Sequence, residues 1–207
     1  MTTVKEIGTV ADTVLATLDF GIGFDHSGST DKPSHRLEGK TRFDEIKEEA
    51  GRIVRAMGKF DDDGLTVVMF SSRATTLDGV TPDRVESMLN EYSPQGSTNL
   101  GACIRALTAK AVSSPKNFVG VIWTDGEADS ESDTIAAIRE AVAATKGRPK
   151  FGLVIIQTGN DAAATAFLRK LDDQLESKGI PDMVSVVTED ESEGLTAGNI
   201  AWLAQNA

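Results

Sequence analysis

Two hydrophobic periods take turns along this chain. Short, nearly continuous apolar runs read as strands: Leu18 to Phe24 ending at Asp25, Leu65 to Phe70, Asn117 to Thr124, Phe151 to Gln157 and Met183 to Thr188. Between them, apolar residues recur at helical spacing. Phe43, Ile46, Ala50, Ile53, Val54, Met57 and Phe60 predict a helix from Arg42 to Phe60. Thr41 and Asp44 form the pattern of a capping box at its start, and Asp61-Asp62-Asp63-Gly64 turns the chain after it. Pro82 opens a short helix over 82–90. Further helices are expected from Leu100 to Ser113, over 131–146, over 161–178 with Phe167, Leu168, Leu171 and Leu175 inward, and from Gly194 to Gln205. Residues 3–17 predict a short leading helix, residues 30–41 a polar loop, and residues 74–77 a short edge strand. Gly21 and Gly23 are unusual inside a strand and imply close packing against it.

Strands that alternate with helices imply right-handed crossovers and a doubly wound, mostly parallel α/β sheet with helices on both faces. Ligands of such sheets bind at the carboxyl ends of the strands, near the point where the strand order reverses. The candidate chemistry falls there. Asp25-His26-Ser27-Gly28-Ser29 follows the first strand, and Thr124-Asp125-Gly126 ends a later one. Gly96-Ser97-Thr98 precedes a helix and can reach the same edge. Taken singly, Ser27, Ser29 and Thr98 read as turn and cap residues, and Asp125 as a turn former. Taken jointly, Asp25, Ser27, Ser29, Thr98 and Asp125 read as one hard-cation site.

Composition narrows the functions. The 207 residues, 40% hydrophobic, suit one domain with its own core. A formal net charge of -11 argues against nucleic acid and against anionic membranes as partners. The acidic runs 61–63 and 189–191 read as solvated loops. The single Cys103 excludes an intramolecular disulfide and reads as core. No basic segment followed by an apolar run opens the chain, so a cytoplasmic location is expected. His26 reads as solvent-facing, Trp123 as core, and Glu127 and Asp129 as solvated loop acids. His35 is assigned no role.

In combination these motifs resemble the von Willebrand factor type A (vWA) domain family. The likeness spans roughly residues 16–205, which sets residues 1–15 apart as an extension of a domain over 16–207. In that family D-x-S-x-S, a distant threonine and a distant aspartate form the metal-ion-dependent adhesion site, here Asp25, Ser27, Ser29, Thr98 and Asp125. One departure is Thr30, where the family often has methionine; that position is not a ligand. The resemblance implies a six-stranded sheet with one short antiparallel edge strand. It implies Mg2+, with Mn2+ or Ca2+ as substitutes. It also implies a vacant coordination position that takes an Asp or Glu from a partner protein. The isolated chain is then expected to be a monomer and not an enzyme. Stand-alone intracellular members often act beside AAA+ ATPases or in stress clusters such as tellurite resistance; others are cell-surface adhesins.

Rival readings fit less well. A phosphoryl-transfer enzyme or phosphatase of the haloacid-dehalogenase kind needs a second acid where Ser27 stands. The phosphate-binding loop G-x-x-x-x-G-K-[ST] is absent from the sequence, and so is a G-x-S-x-G elbow at a strand end.

Overall fold

The computed structural model describes residues 7–126, 128–146, 150–173, 175 and 179–207. Six strands form one sheet: β1 (Leu18–Asp25), β2 (Leu65–Phe70), β3 (Ala74–Val80), β4 (Asn117–Thr124), β5 (Phe151–Gln157) and β6 (Val184–Val187). Their spatial order is β3-β2-β1-β4-β5-β6. All neighbours pair in parallel except β2 and β3. The edge strand β3 is longer than the expected 74–77 and runs antiparallel beside β2. Its residues are largely exposed, and Asp78 and Gly79 keep that edge polar and irregular.

Helices cover both faces. On one lie α1 (Asp12–Leu15), α2 (Arg42–Met57), α3 (Pro82–Leu89) and α7 (Ala197–Gln205), packed on Leu18, Phe20, Ile22 and Phe24. On the other lie α4 (Leu100–Ser113), α5 (Glu131–Thr145) and α6 (Ala162–Asp173), packed on Val68, Phe70, Ile122, Leu153 and Ile155. Alternate residues of β1 point to opposite faces, so Gly21 and Gly23 turn toward α4. A Cβ at Gly23 would stand 2.5 Å from Cys103 Sγ, and one at Gly21 2.7 Å from Leu107 Cδ2. The two glycines let α4 lie close on the central strand.

Helix starts follow the sequence signals. Thr41 and Asp44 make the expected capping box, and Thr196 with Asn199 makes another at α7. Helix α2 stops at Met57, before the expected Phe60. The leading helix is shorter than 3–17: its described part is the single turn Asp12–Leu15. Residues 8–10 instead hydrogen-bond to α7, where Asn199 Nδ2 donates to Gly8 O at 2.9 Å and Val10 N donates to Gly198 O at 3.2 Å. Residues 1–6, Glu127, residue 174 and residues 176–178 lie outside the described residues, so part of the expected 161–178 helix does too. Among the described residues, no helix is long and apolar enough to cross a membrane.

Both acidic runs depart from a simple solvated loop. Asp61 is buried because its Oδ2 accepts the Phe20 N–H at 3.1 Å, which ties the chain before β2 to the start of β1. Burial, with Asp63 and Asp19 nearby, pushes its carboxyl up to about 7. Glu189 is also buried: its Oε1 accepts the Gly159 N–H at 3.2 Å. Thr188 and Glu191 form a capping box over the short 3-10 turn Glu189–Glu191.

Candidate metal centre

The strand order reverses beside β1. The chain leaves β1 toward β2 on one side and returns to β4 on the other. The carboxyl ends of β1 and β4 flank the resulting crevice, and these are the ends that carry Asp25 and Asp125. Both aspartates are fully buried.

Asp25 is held from two directions. Its Oδ1 accepts the Ser27 N–H at 2.8 Å, and its Oδ2 accepts the Thr124 hydroxyl at 2.6 Å. The first bond bends the chain back after β1, so that the Ser27 and Ser29 hydroxyls meet at 3.0 Å. Thr30 closes the 3-10 turn by donating to Ser27 O at 2.7 Å. The Thr30 side chain is buried and supports this loop.

Thr98 arrives on its own loop. Gly28 N donates to Gly96 O at 3.0 Å and Gln95 N donates to His26 O at 2.8 Å, which bind that loop to the one after β1. Gly96 has a φ of 74°, and a Cβ there would stand 2.6 Å from Ser72 Oγ, so glycine is required. Thr98 N–H donates to Asp129 Oδ1, and Asp129 N–H donates to Thr98 O, both at 2.9 Å. Asp129 is exposed, as expected for a loop acid, yet it clamps Thr98 in place.

Electrostatics mark the site as strained in charge. Burial, and then the charge of Asp125, push the Asp25 carboxyl up to about 7; bonds from Thr124 and Ser27 partly oppose that rise. Asp125 is met by Arg42, whose Nη1 stands 3.1 Å from Asp125 Oδ2. The structure thus brings all three segments to one sheet edge, with Asp25, Ser27 and Ser29 joined by direct hydrogen bonds. The donors are carboxylate and hydroxyl oxygens, which suit a hard cation better than a soft one. Two buried like charges are also what a cation would relieve.

Several residues here differ from the sequence reading or were missed by it. His26 is buried, not solvent-facing. Its backbone N–H donates to Phe70 O at 2.9 Å, and its ring packs edge-on against Tyr92 at 5.0 Å, with Nδ1 3.3 Å from Ser93 O. Burial lowers its pKa. Thr124 was visible only as part of the T-D-G motif. Arg42 had a usable signal: it is a cation in the first turn of a helix, where the helix dipole disfavours positive charge. Trp123 and Cys103 lie in the core as expected, Trp123 stacking on Phe24 at 5.7 Å between centroids.

A second acidic group lies at the opposite end of the sheet. Asp19, Asp61 and Asp63 can bring carboxylate oxygens within 4.8 Å of one another. Lys116 Nζ stands 2.9 Å from Asp19 Oδ1 and offsets part of that charge.

The architecture is that of a vWA-like fold: a mostly parallel six-stranded sheet with one antiparallel edge strand, enclosed by helices. Solved structures with this fold include the PilB minor pilin from Streptococcus sanguinis, at a TM-score of 0.63 and 14% identity over 90% of this chain and 60% of that one. The chain therefore spans less than two thirds of that pilin. Manganese-loaded TRAP protein from Plasmodium vivax matches at a TM-score of 0.61 and 15% identity, over 95% of this chain and 76% of that one. A von Willebrand factor type A protein from Catenulispora acidiphila matches at 0.55 and 18% identity, over 89% and 42%. No family model and no curated protein matches the sequence.

Proposed function

We propose that this chain is a metal-dependent protein-interaction module. Asp25, Ser27, Ser29, Thr98 and Asp125 would hold the cation, Mg2+ in the first place, with Mn2+ or Ca2+ able to substitute. One observation carries the reading: two fully buried aspartates at adjacent strand ends, beside a pair of hydroxyls 3.0 Å apart. A divalent ion there supplies an electrophilic position for one more carboxylate oxygen, offered by an Asp or Glu of a partner protein. The chain's own residues prepare that position. The Ser27 N–H and the Thr124 hydroxyl fix the Asp25 carboxyl, and the Asp129 clamp fixes the Thr98 loop. The manganese carried by the similar TRAP protein is consistent with this reading. A non-enzymatic adaptor in a cytoplasmic complex is the setting we favour, with the domain over 16–207 and the isolated chain monomeric. A second setting, at a cell surface, draws on the pilin and on a pilus adhesin, SpaC from Lactobacillus rhamnosus, among the similar structures.

The test is calorimetry with Mg2+ and with Mn2+ on the wild type and on Asp25→Ala. Binding lost in the variant supports the site; equal heats in both proteins reject it. Partner capture from a lysate is then expected to vanish in EDTA. Phosphatase or ATPase turnover that disappears in Asp25→Ala would overturn the non-enzymatic reading.

A further inference from the structure

The segment 33–41, between the loop that carries Ser29 and the start of α2, is closed on itself and tied down at its tip. Pro33 pairs with Thr41, and Ser34 N donates to Lys40 O at 2.8 Å. Ser34 Oγ accepts the Arg36 and Leu37 N–H groups and donates to Glu45 Oε2 at 2.6 Å. Lys32 N donates to Ser29 O at 3.1 Å and Arg42 N to Lys32 O at 2.9 Å, which join the segment to the Ser29 loop. Beneath the tip lie two glutamates from distant parts of the chain, Glu45 of α2 and Glu189 of the 3-10 turn, each 4% exposed. Their carboxyls stand within hydrogen-bond reach of each other, yet Glu189 Oε2 has no hydrogen-bond donor. Ionised carboxylates only accept, so a bond between two of them needs a proton.

We propose that Glu45 and Glu189 share one proton, and that this proton is an acid-strengthened latch that holds the 33–41 segment, and with it the Ser29 loop, against the body of the domain. Glu45 donates to Glu189 Oε2 and keeps its bond from Ser34, while Glu189 Oε1 accepts the Gly159 N–H. When the proton leaves, two buried negative charges face each other with little water between them, and the contact of α2 with the turn becomes repulsive. Burial raises the Glu45 carboxyl; the Ser34 hydroxyl and Arg36 oppose the rise, and the Glu189 charge adds to it. A raised carboxyl keeps its proton through acidic pH, so the latch is closed there and is lost as pH rises through the raised value.

The surrounding charges do not replace that proton. Arg36 Nη1 is 3.8 Å from Glu45 Oε1, beyond a hydrogen bond, and donates to Ser192 Oγ at 3.0 Å instead. His35 Nδ1 is 3.6 Å from Glu189 Oε2 but 64% exposed, which makes it the rival to be tested. On α2, Glu49 adds negative charge, Glu48 is exposed, and Arg52 donates to Leu195 O at 2.6 Å. On the turn and just after it, Asp190 and Glu193 are exposed and Glu191 is held by Arg169 at 2.7 Å. Arg42 lies across Gly159. The latch does not depend on a metal ion.

The test is amide exchange by NMR on the full chain in EDTA, corrected for the intrinsic rate at each pH. It compares the wild type, Glu45→Gln, Glu189→Gln and His35→Ala. The Ser34, Leu37 and Lys40 amides report the latch. In the wild type their protection is expected to fall roughly five-fold or more from about pH 5 to about pH 8. A glutamine at either position donates at every pH. Glu45→Gln should therefore keep the acidic level of protection throughout, and Glu189→Gln carries the test if Glu45→Gln does not fold. His35→Ala should retain the wild-type fall. Asp25 and Asp61 are the same in every variant, so their titration cancels in the comparison. Protection that does not change with pH in the wild type, or that falls equally in the glutamine variants, overturns the latch. A fall abolished in His35→Ala assigns the effect to the imidazole and overturns the shared proton too.

Discussion

The Thr124 hydroxyl donates a 2.6 Å hydrogen bond to Asp25 Oδ2 and accepts the Gly126 N–H at 3.1 Å. One side chain thus ties the end of β4 to the acid that ends β1 and shapes the turn that carries Asp125. Thr124→Val keeps the volume and removes the donor from a buried carboxyl. It should cost about 1–3 kcal/mol, read as a lower melting temperature, and should weaken Mn2+ binding. Unchanged melting and unchanged affinity would show that the bond is dispensable.

Stability should fall as pH rises toward neutrality in EDTA. The Asp25 and Asp61 carboxyls are each pushed up to about 7 in the folded chain, mainly by burial, whereas unfolded aspartates titrate near about 3.9. Between those values the folded chain holds protons that the unfolded chain has released. The stabilisation is complete below the unfolded value and is lost as pH rises through the folded one. Lowered carboxyls such as Asp44, Asp133 and Glu191 act in the opposite direction only below their unfolded values, whereas the lowered His26 opposes the trend below its own unfolded value of about 6.5, so the two raised aspartates must outweigh one histidine. The metal-free protein should melt higher near about pH 5 than near about pH 8, with a shallower slope in Asp61→Asn. A melting temperature that climbs through this window would contradict the assignment.

Cation affinity should run the other way. A raised Asp25 must lose its proton to meet a metal, so binding releases protons and tightens with pH. Calorimetry in buffers of different ionisation enthalpy should detect that release near about pH 6 and little of it near about pH 8. Equal release at both values would mean that Asp25 does not take part.

Gly23 and Cys103 should be energetically coupled. A Cβ at Gly23 would stand 2.5 Å from Cys103 Sγ and 3.3 Å from Ile122 Cγ1. Gly23→Ala is expected to cost about 1–3 kcal/mol through overpacking. Adding Cys103→Ala removes the nearest atom and should restore part of that loss. Strictly additive effects in denaturant unfolding would show that α4 moves away instead.

The start of α2 should matter to the site as well as to the helix. The Thr41 hydroxyl accepts the Asp44 N–H at 3.1 Å, and Asp44 Oδ2 accepts the Thr41 N–H at 3.1 Å. Thr41→Ala should lower stability by about 1 kcal/mol. Because Arg42 follows directly, fraying here should also loosen its grip on Asp125. Chemical denaturation measures the first effect and Mn2+ titration the second.

Local pattern was enough for much of this protein. The apolar runs located the five parallel strands and the helical spacings located most helices, because each element buries a face with its own period. The three motifs lay at the right element ends because strand-to-helix turns put polar residues there. The leading segment misled for a related reason: residues 8–10 spend their hydrogen bonds on α7, a long-range partner that local amphipathicity does not reveal. The acidic runs misled likewise. Asp61 and Glu189 each accept a backbone N–H from residues 41 and 30 positions away, and such a bond is what makes a carboxylate tolerable inside.

The sequence by itself determined the α/β alternation and the capping box at Thr41 and Asp44, and it singled out the five polar residues proposed as a metal site. Only the tertiary structure decided how these groups are charged. Burial pushes the Asp25 carboxyl up to about 7, and the packing of α2 brings the Arg42 guanidinium to Asp125 from 83 residues away. Periodicity reports which face an element buries. It does not report which charges burial leaves facing one another, because that depends on long-range geometry and on the exclusion of water.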